Sequence, residues 1–244
     1  MTTLIVIAKE TIPGKVKTRL HPPLSYEQAA EVAAAAIQDT LAAASAVDVD
    51  RRILYFDGNL FPPGSEDYEV VPQGTGDLDV RLAHIFDHCT GPTVLIGMDT
   101  PQLDAQVLRD MFARWAAEDE ATNASTSTST STSDADTDAG TTDVFFGFAN
   151  DGGFWTLGMR EPDGSLIRGV PMSKDDTGRV QLDRLEAAGL SVSLVPELVD
   201  VDTIDDARTV ATLAPHTRFA ETLRRIEGTT SATAEGARHE HDRN

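Results

Sequence analysis

The sequence predicts an α/β fold with a mostly parallel sheet in a single domain. Short apolar runs alternate with helix-patterned stretches along most of the chain, which is the signature of successive βα units. A length of 244 residues with 40% hydrophobic content suits one sizeable core. The run "VLIG" at 94–97 contains no polar side chain, as expected of a central strand covered on both faces.

The elements follow in order. "TLIVIA" (3–8) reads as the first strand. Ser25 with Gln28 three residues on forms a capping box, and the alanine-rich stretch 29–46 behind it is strong helix material. "RILYF" (52–56) and "YEVV" (68–71) are strands, a helix is expected near 79–88, "TVLIG" (93–97) is the next strand, and a helix follows from about 104. Residues 122–142, "TNASTSTSTSTSDADTDAGTT", hold no large apolar side chain and cannot offset the entropy of ordering, so a disordered surface insertion is expected there. The core pattern resumes with "DVFFGFA" (143–149) and "FWTLGM" (154–159), then a helix around 176–188, "SVSLV" (191–195), and helical segments near 203–213 and 216–227. The polar stretch 228–244 is expected as a flexible tail, which leaves 1–227 as the domain.

Acidity bounds the partners. Forty Asp and Glu against 20 Lys and Arg give a net charge of −20, a field that repels nucleic acid and anionic membrane surfaces. Any phosphate must therefore be met by a local cationic site. The single Cys89 makes no intramolecular disulfide, and no apolar run approaches the roughly 18 residues of a membrane span. The start "MTTLIVIAKE" lacks a basic segment followed by a long apolar stretch and cleavage site, so a soluble cytoplasmic protein is expected.

Positive charge nevertheless gathers at "GKVKTRLHPPL" (14–24). This loop joins the first strand to the first helix and so lies at the carboxyl edge of the sheet, where open α/β folds bind ligands. Lys15, Lys17 and Arg19 alternate, so an extended loop projects them together, and Gly14 permits close backbone approach to an anion. The loop is either a phosphate clamp or a solvated charged surface. "VLIGMDTP" (94–101) delivers Asp99 to a strand end, where it either holds Mg²⁺ or caps the turn. "FANDGGFWTLG" (148–158) carries a hairpin signal, in which Asp151 and Gly152 form the turn or open room for a ligand beside Phe154 and Trp155. In "LVDVDTIDDA" (198–207), Asp200, Asp202, Asp205 and Asp206 make an acidic helix start; a divalent cation on Asp202 would relieve their repulsion. Gly74 and Gly76 in "PQGTGDLDVRL" (72–82) precede a helix in the manner of a phosphate-binding turn, with Arg81 in its first turn. His84, His88 and Cys89 read as packing residues, because no second paired cluster completes a zinc site.

Taken in order, "PGKVKTRL", "QGTGDLDVRL", "IGMDTPQL", "FANDGGFWTLG" and "DVDTIDDA" resemble the motifs of the DUF2064 family, glycosyltransferase-A-like proteins related to the nucleotide-diphospho-sugar transferases. The resemblance spans nearly all of 4–213; the family pattern usually has glycine at the position of Asp79 and commonly tyrosine at that of Phe154. It implies a Rossmann-like mixed sheet of the GT-A type that binds a nucleotide, with Asp99 and Asp202 at the two metal positions. A similar "K-S-R-L" element follows the first strand of phospholactate guanylyltransferases, which implies that Lys17 and Arg19 address a triphosphate.

The expected activity is a Mg²⁺- or Mn²⁺-dependent transferase acting on a nucleoside triphosphate or nucleotide-sugar, nucleotidyl transfer being slightly favoured by the clamp beside the first strand, with Lys17 and Arg19 as catalytic cations and an unidentified small-molecule acceptor. Gly14, Lys15, Gly74, Gly76, Arg81, Asp151 and Gly152 are the expected nucleotide contacts. Glycosyl transfer from a nucleotide-sugar and non-catalytic nucleotide sensing are the rival readings. Base, acceptor and oligomeric state are left open.

Overall fold

The computed structural model describes residues 1–126 and 141–241. Among the described residues seven strands form one sheet: β1 (Thr3–Lys9), β2 (Arg51–Asp57), β3 (Glu69–Pro72), β4 (Thr93–Ile96), β5 (Val144–Phe148), β6 (Phe154–Met159) and β7 (Val192–Leu194). Their order across the sheet is β3-β2-β1-β4-β6-β5-β7. β6 runs antiparallel to both β4 and β5, and the other pairings are parallel. The expected mixed, mostly parallel sheet is therefore present.

Helices cover both faces: α1 (Tyr26–Ser45), α2 (Leu78–Asp87), α3 (Ala105–Thr126), α4 (Thr177–Ala187), α5 (Ile204–Leu213) and α6 (Arg218–His241). The two-residue period of β1 sorts its side chains between two cores. Leu4 and Val6 pack with Ile37 of α1 and Leu108 and Trp115 of α3, whereas Ile5 packs with Phe86 of α2 and Leu185 of α4. The Ser25 capping box forms as its residue pattern predicts. Its alanines let α1 lie close to two neighbours, the sheet through Ala33 and α6 through Ala29, which sits with Phe219 and Leu223 in a third core.

Two expected boundaries are corrected. α3 continues to Thr126, past the expected start of the insertion at 122, and Thr142, at its expected end, is buried. The Thr142 carbonyl accepts from Trp115 Nε1 at 2.7 Å and Arg160 Nε at 3.0 Å, and its own N–H and hydroxyl donate to Glu118. Residues 127–140 of the expected insertion lie outside the described residues. The expected tail from 228 starts instead as a continuation of α6, which runs to His241; 242–244 lie outside the described residues. Once Phe219, Leu223 and Ile226 anchor the helix, each further residue adds a backbone bond without a new nucleation cost.

Strand order reverses between β1 and β4: the chain runs outward through β2 and β3, then returns to place β4 on the other side of β1. A crevice opens at the carboxyl ends of strands flanking such a switch point.

Candidate active site

Three loops converge at that crevice. The segment after β4 carries Asp99, the turn after β5 carries Asn150 and Asp151, and the stretch before α5 carries Asp200 and Asp202. Backbone and amide hydrogen bonds lock them together. The Val201 N–H donates to the Asp99 carbonyl at 3.1 Å, and Gln102 Nε2 donates to the Val199 carbonyl at 2.7 Å. The Asn150 N–H donates to the Leu198 carbonyl at 3.1 Å, while Asn150 Oδ1 accepts from the Asp200 N–H at 2.7 Å. The acidic residues are thus gathered by main-chain bonds despite their mutual repulsion.

The basic loop enters this cluster, but not in the expected shape. An extended loop with Lys15, Lys17 and Arg19 side by side is contradicted. Val16 and Leu20 are buried, and drawing both inward coils the segment into a 3-10 turn at Thr18–Leu20. Lys17 adopts a left-handed backbone conformation, with φ 46° and ψ 40°. Its side chain, 6% exposed, points at carboxylates: Nζ lies 2.8 Å from Asp99 Oδ1 and 3.9 Å from both Asp200 Oδ2 and Asp202 Oδ1. Apart from that ion pair, the buried Asp99 Oδ1 receives no well-directed hydrogen bond. Arg19 pairs with the other Asp202 oxygen while remaining 73% exposed, and Lys15 is exposed.

The electrostatics follow from this crowding. Burial pushes the Asp200 carboxyl up to about 7, with the Asp99 charge adding to it and the Lys17 ammonium opposing. Burial alone would depress Lys17, but the carboxylates, led by Asp99, outweigh it and hold the ammonium above its usual range.

Beside the cluster lies a cavity of about 510 Å³, bounded by Ala8 and Lys9 at the end of β1 and by Gly97 to Thr100 after β4. Of the expected site residues, Asp99, Asp151 and Arg81 line it. Arg81 donates to Gln73 Oε1, and Gln73 Nε2 in turn donates to the carbonyls of Ala8 and Tyr55 at 2.9 and 3.0 Å, so the guanidinium is braced against the sheet. Asp151 also serves the turn, since its Oδ1 accepts from the Gly153 N–H at 2.8 Å. Gly14, Lys15, Gly74, Gly76 and Gly152 are not among its lining residues. Gly152 is required by packing: a Cβ there would sit 1.8 Å from the Asp175 carbonyl oxygen. Phe154 and Trp155 both reach the cavity wall, and the buried Trp155 indole donates to the Pro196 carbonyl. Asp79 accepts from the Gly169 N–H at 2.7 Å, which ties the start of α2 to the loop before α4.

Sequence reasoning missed Asp200 as a site residue, along with Asn150, Gln73, Lys9 and Lys174. Asp200 stood in the quoted acidic run, and its burial was the missing information. Lys9 and Lys174 both line the cavity, and nothing local to Lys174 signalled its arrival there.

Residues 29–174 match the model of a family described as an uncharacterized protein conserved in bacteria (DUF2064). The chain belongs to this family. No curated protein is significantly similar in sequence. Among solved structures, the DUF2064 chain resembles one from Desulfovibrio desulfuricans G20, provisionally assigned as a nucleotide-diphospho-sugar transferase. The TM-score is 0.72 at 21% identity, over 93% of this chain and 95% of the other. A cytidylyltransferase from Leptospira borgpetersenii serovar Hardjo-bovis aligns with a TM-score of 0.51 at 12% identity, over 94% and 95% of the two chains. At these identities the likeness establishes the fold, a GT-A-like arrangement of the Rossmann type.

Oxygen donors of the carboxylate kind suit Mg²⁺ or Mn²⁺. Among the described residues no three His, Cys, Asp or Glu side chains stand close enough together to form a ready-made metal site. Mg²⁺ commonly takes one or two carboxylates and completes its shell with water and substrate phosphate, and Asp99 and Asp202 around the Lys17 ammonium fit that mode. No helix among the described residues is long and apolar enough to cross a membrane.

Proposed function

We propose that this DUF2064 protein is a divalent-metal-dependent transferase acting on a nucleoside triphosphate or nucleotide-sugar, with nucleotidyl transfer the favoured reaction. One observation carries the reading: a cavity at the β1/β4 switch point has Asp99, Asp151 and Asp200 on its wall together with Lys9, Arg81 and Lys174. Carboxylates and cations facing one space suit a substrate that brings phosphates and a metal together. A volume of about 510 Å³ is in the usual range for a small-molecule site.

In this reading Asp99 and Asp202 hold the cation, which would neutralise charge on the phosphates. Arg81, braced by Gln73, addresses phosphate through a fixed guanidinium, and Lys9 and Lys174 add charge at the rim. Arg19 and Lys15, exposed on the basic loop, meet the outer phosphates, with Lys17 as the inner cation of that loop. An acceptor oxygen attacks the α-phosphorus and pyrophosphate departs; the protein positions the groups and screens the developing charge.

Glycosyl transfer is the second reading, and the name borne by the Desulfovibrio neighbour favours it. Product analysis separates the two. Incubation with nucleoside triphosphates, nucleotide-sugars and candidate acceptors in Mg²⁺ or Mn²⁺ should release pyrophosphate from a triphosphate. Nucleoside diphosphate released from a nucleotide-sugar would instead establish glycosyl transfer. Binding without turnover across the panel would identify a nucleotide sensor.

A further inference from the structure

In the proposed function the basic loop serves phosphate and the acidic cluster serves metal, yet the two are in contact. The Lys17 ammonium sits among three carboxylates from two segments, nearest Asp99 at 2.8 Å and 3.9 Å from both Asp200 and Asp202. A group that only awaited phosphate would gain from facing the cavity, but the Lys17 side chain is 94% covered and is not among the cavity-lining residues. Its backbone is left-handed, a conformation that costs a non-glycine residue and persists only where surrounding contacts impose it. The ion pairs supply that restraint.

We propose that Lys17 is a built-in cation that holds the place of the divalent metal between Asp99 and Asp202, and that it must withdraw for the metal to enter. Metal loading and exposure of Lys17 are then one event. Lys17 and Arg19 bring two positive charges to three carboxylates, so a divalent ion is a stronger partner for Asp99 and Asp202 than the ammonium, and repulsion between ion and ammonium drives the side chain outward. The freed ammonium becomes available to phosphate only after the metal has bound, which orders the assembly of the site. This inference rests on the metal reading above.

The test uses Mn²⁺ alone, without nucleotide, on the full chain. Lysine acylation followed by mass spectrometry should show Lys17 reacting more slowly than exposed Lys15 by about tenfold or more without metal, and approaching the Lys15 rate when Mn²⁺ saturates. Calorimetry should show Lys17→Met binding Mn²⁺ tighter than wild type by about tenfold, since the competing cation is gone. The labelling arm needs no variant, so a poorly folding Lys17→Met leaves the proposal open to refutation. Bound Mn²⁺ with unchanged Lys17 protection overturns this inference and leaves the metal reading intact. A folded Lys17→Met that binds no tighter than wild type also overturns it. Absence of Mn²⁺ binding in both proteins, with or without a nucleoside triphosphate, removes the metal reading and this inference together.

Discussion

Asn150 fixes Asp200: its side-chain oxygen accepts the Asp200 backbone N–H at 2.7 Å, while its own N–H donates to the Leu198 carbonyl at 3.1 Å. An uncharged acceptor thereby anchors the main chain of the most perturbed carboxyl in the site. Asn150→Ala should lower stability by about 1 kcal/mol, the usual net value of one hydrogen bond, and should also weaken metal-dependent nucleotide binding because the 198–202 segment loosens. Denaturant melts and calorimetry on the same preparations test both effects. Full nucleotide affinity in a destabilised variant would reduce Asn150 to a purely structural role.

Asp200 imposes a pH dependence on the metal-free protein. Its folded value of about 7 stands above the ordinary 3.8, so between those limits the native state binds more protons than the unfolded chain. Stability therefore falls as pH rises from about 4 to about 7 and levels off above, by an amount on the order of 4 kcal/mol at about 1.4 kcal/mol per pH step. Asp200→Asn should remove this slope and melt higher than wild type at pH 8 in the presence of chelator. Parallel stability profiles for the two proteins would show that Asp200 ionises freely.

Asp99→Asn separates a metal ligand from a turn former. The amide keeps the shape and loses the charge, so Mn²⁺-dependent nucleotide binding should fall by at least tenfold, about 1.4 kcal/mol. Lys17 loses its nearest counterion in the same variant, so a modest loss of metal-free stability is expected as well. Equal Mn²⁺ affinity in wild type and variant, by calorimetry with nucleotide present, would end the metal role of this residue.

Arg81→Lys keeps a positive charge but abandons the planar fork that Gln73 braces. Nucleoside triphosphate affinity should drop by roughly 1.5 to 3 kcal/mol, the worth of a charge-assisted contact, with little change in melting temperature. A variant that binds as wild type does would place Arg81 outside the ligand's reach.

The boundaries of the Ser/Thr-rich stretch are testable by replacement. Exchanging 127–140 for a short Gly/Ser linker should leave the melting temperature nearly unchanged, because the Thr142 contacts to Trp115, Arg160 and Glu118 are kept. Replacing 122–142 removes those contacts and should cost at least 2 kcal/mol, from orphaned buried donors at about 1 to 3 kcal/mol each. Equal melting temperatures for the two replacements would show that Thr142 is dispensable.

Local chemistry was enough to determine the elements of this protein. The Ser25–Gln28 capping box, the alternation of β1 and the unbroken apolar run of β4 each encode their structure within a few residues, so strand and helix positions and the mostly parallel sheet were legible in the sequence. Asp99 drew attention as a carboxylate shortly after a strand, and Asp202 as one in the acidic run before a helix. Only the tertiary structure decided what the basic loop does. Alternation of Lys15, Lys17 and Arg19 suggested one shared direction, but burial of Val16 and Leu20 coiled the loop and sent Lys17 into carboxylates supplied by segments remote in sequence. Burial of Asp200 and the arrival of Lys174 at the cavity likewise depend on contacts between distant segments. A side chain's charge is written at its own position, whereas its solvent exposure and its neighbours' charges, which set its chemistry, arise only when the chain packs.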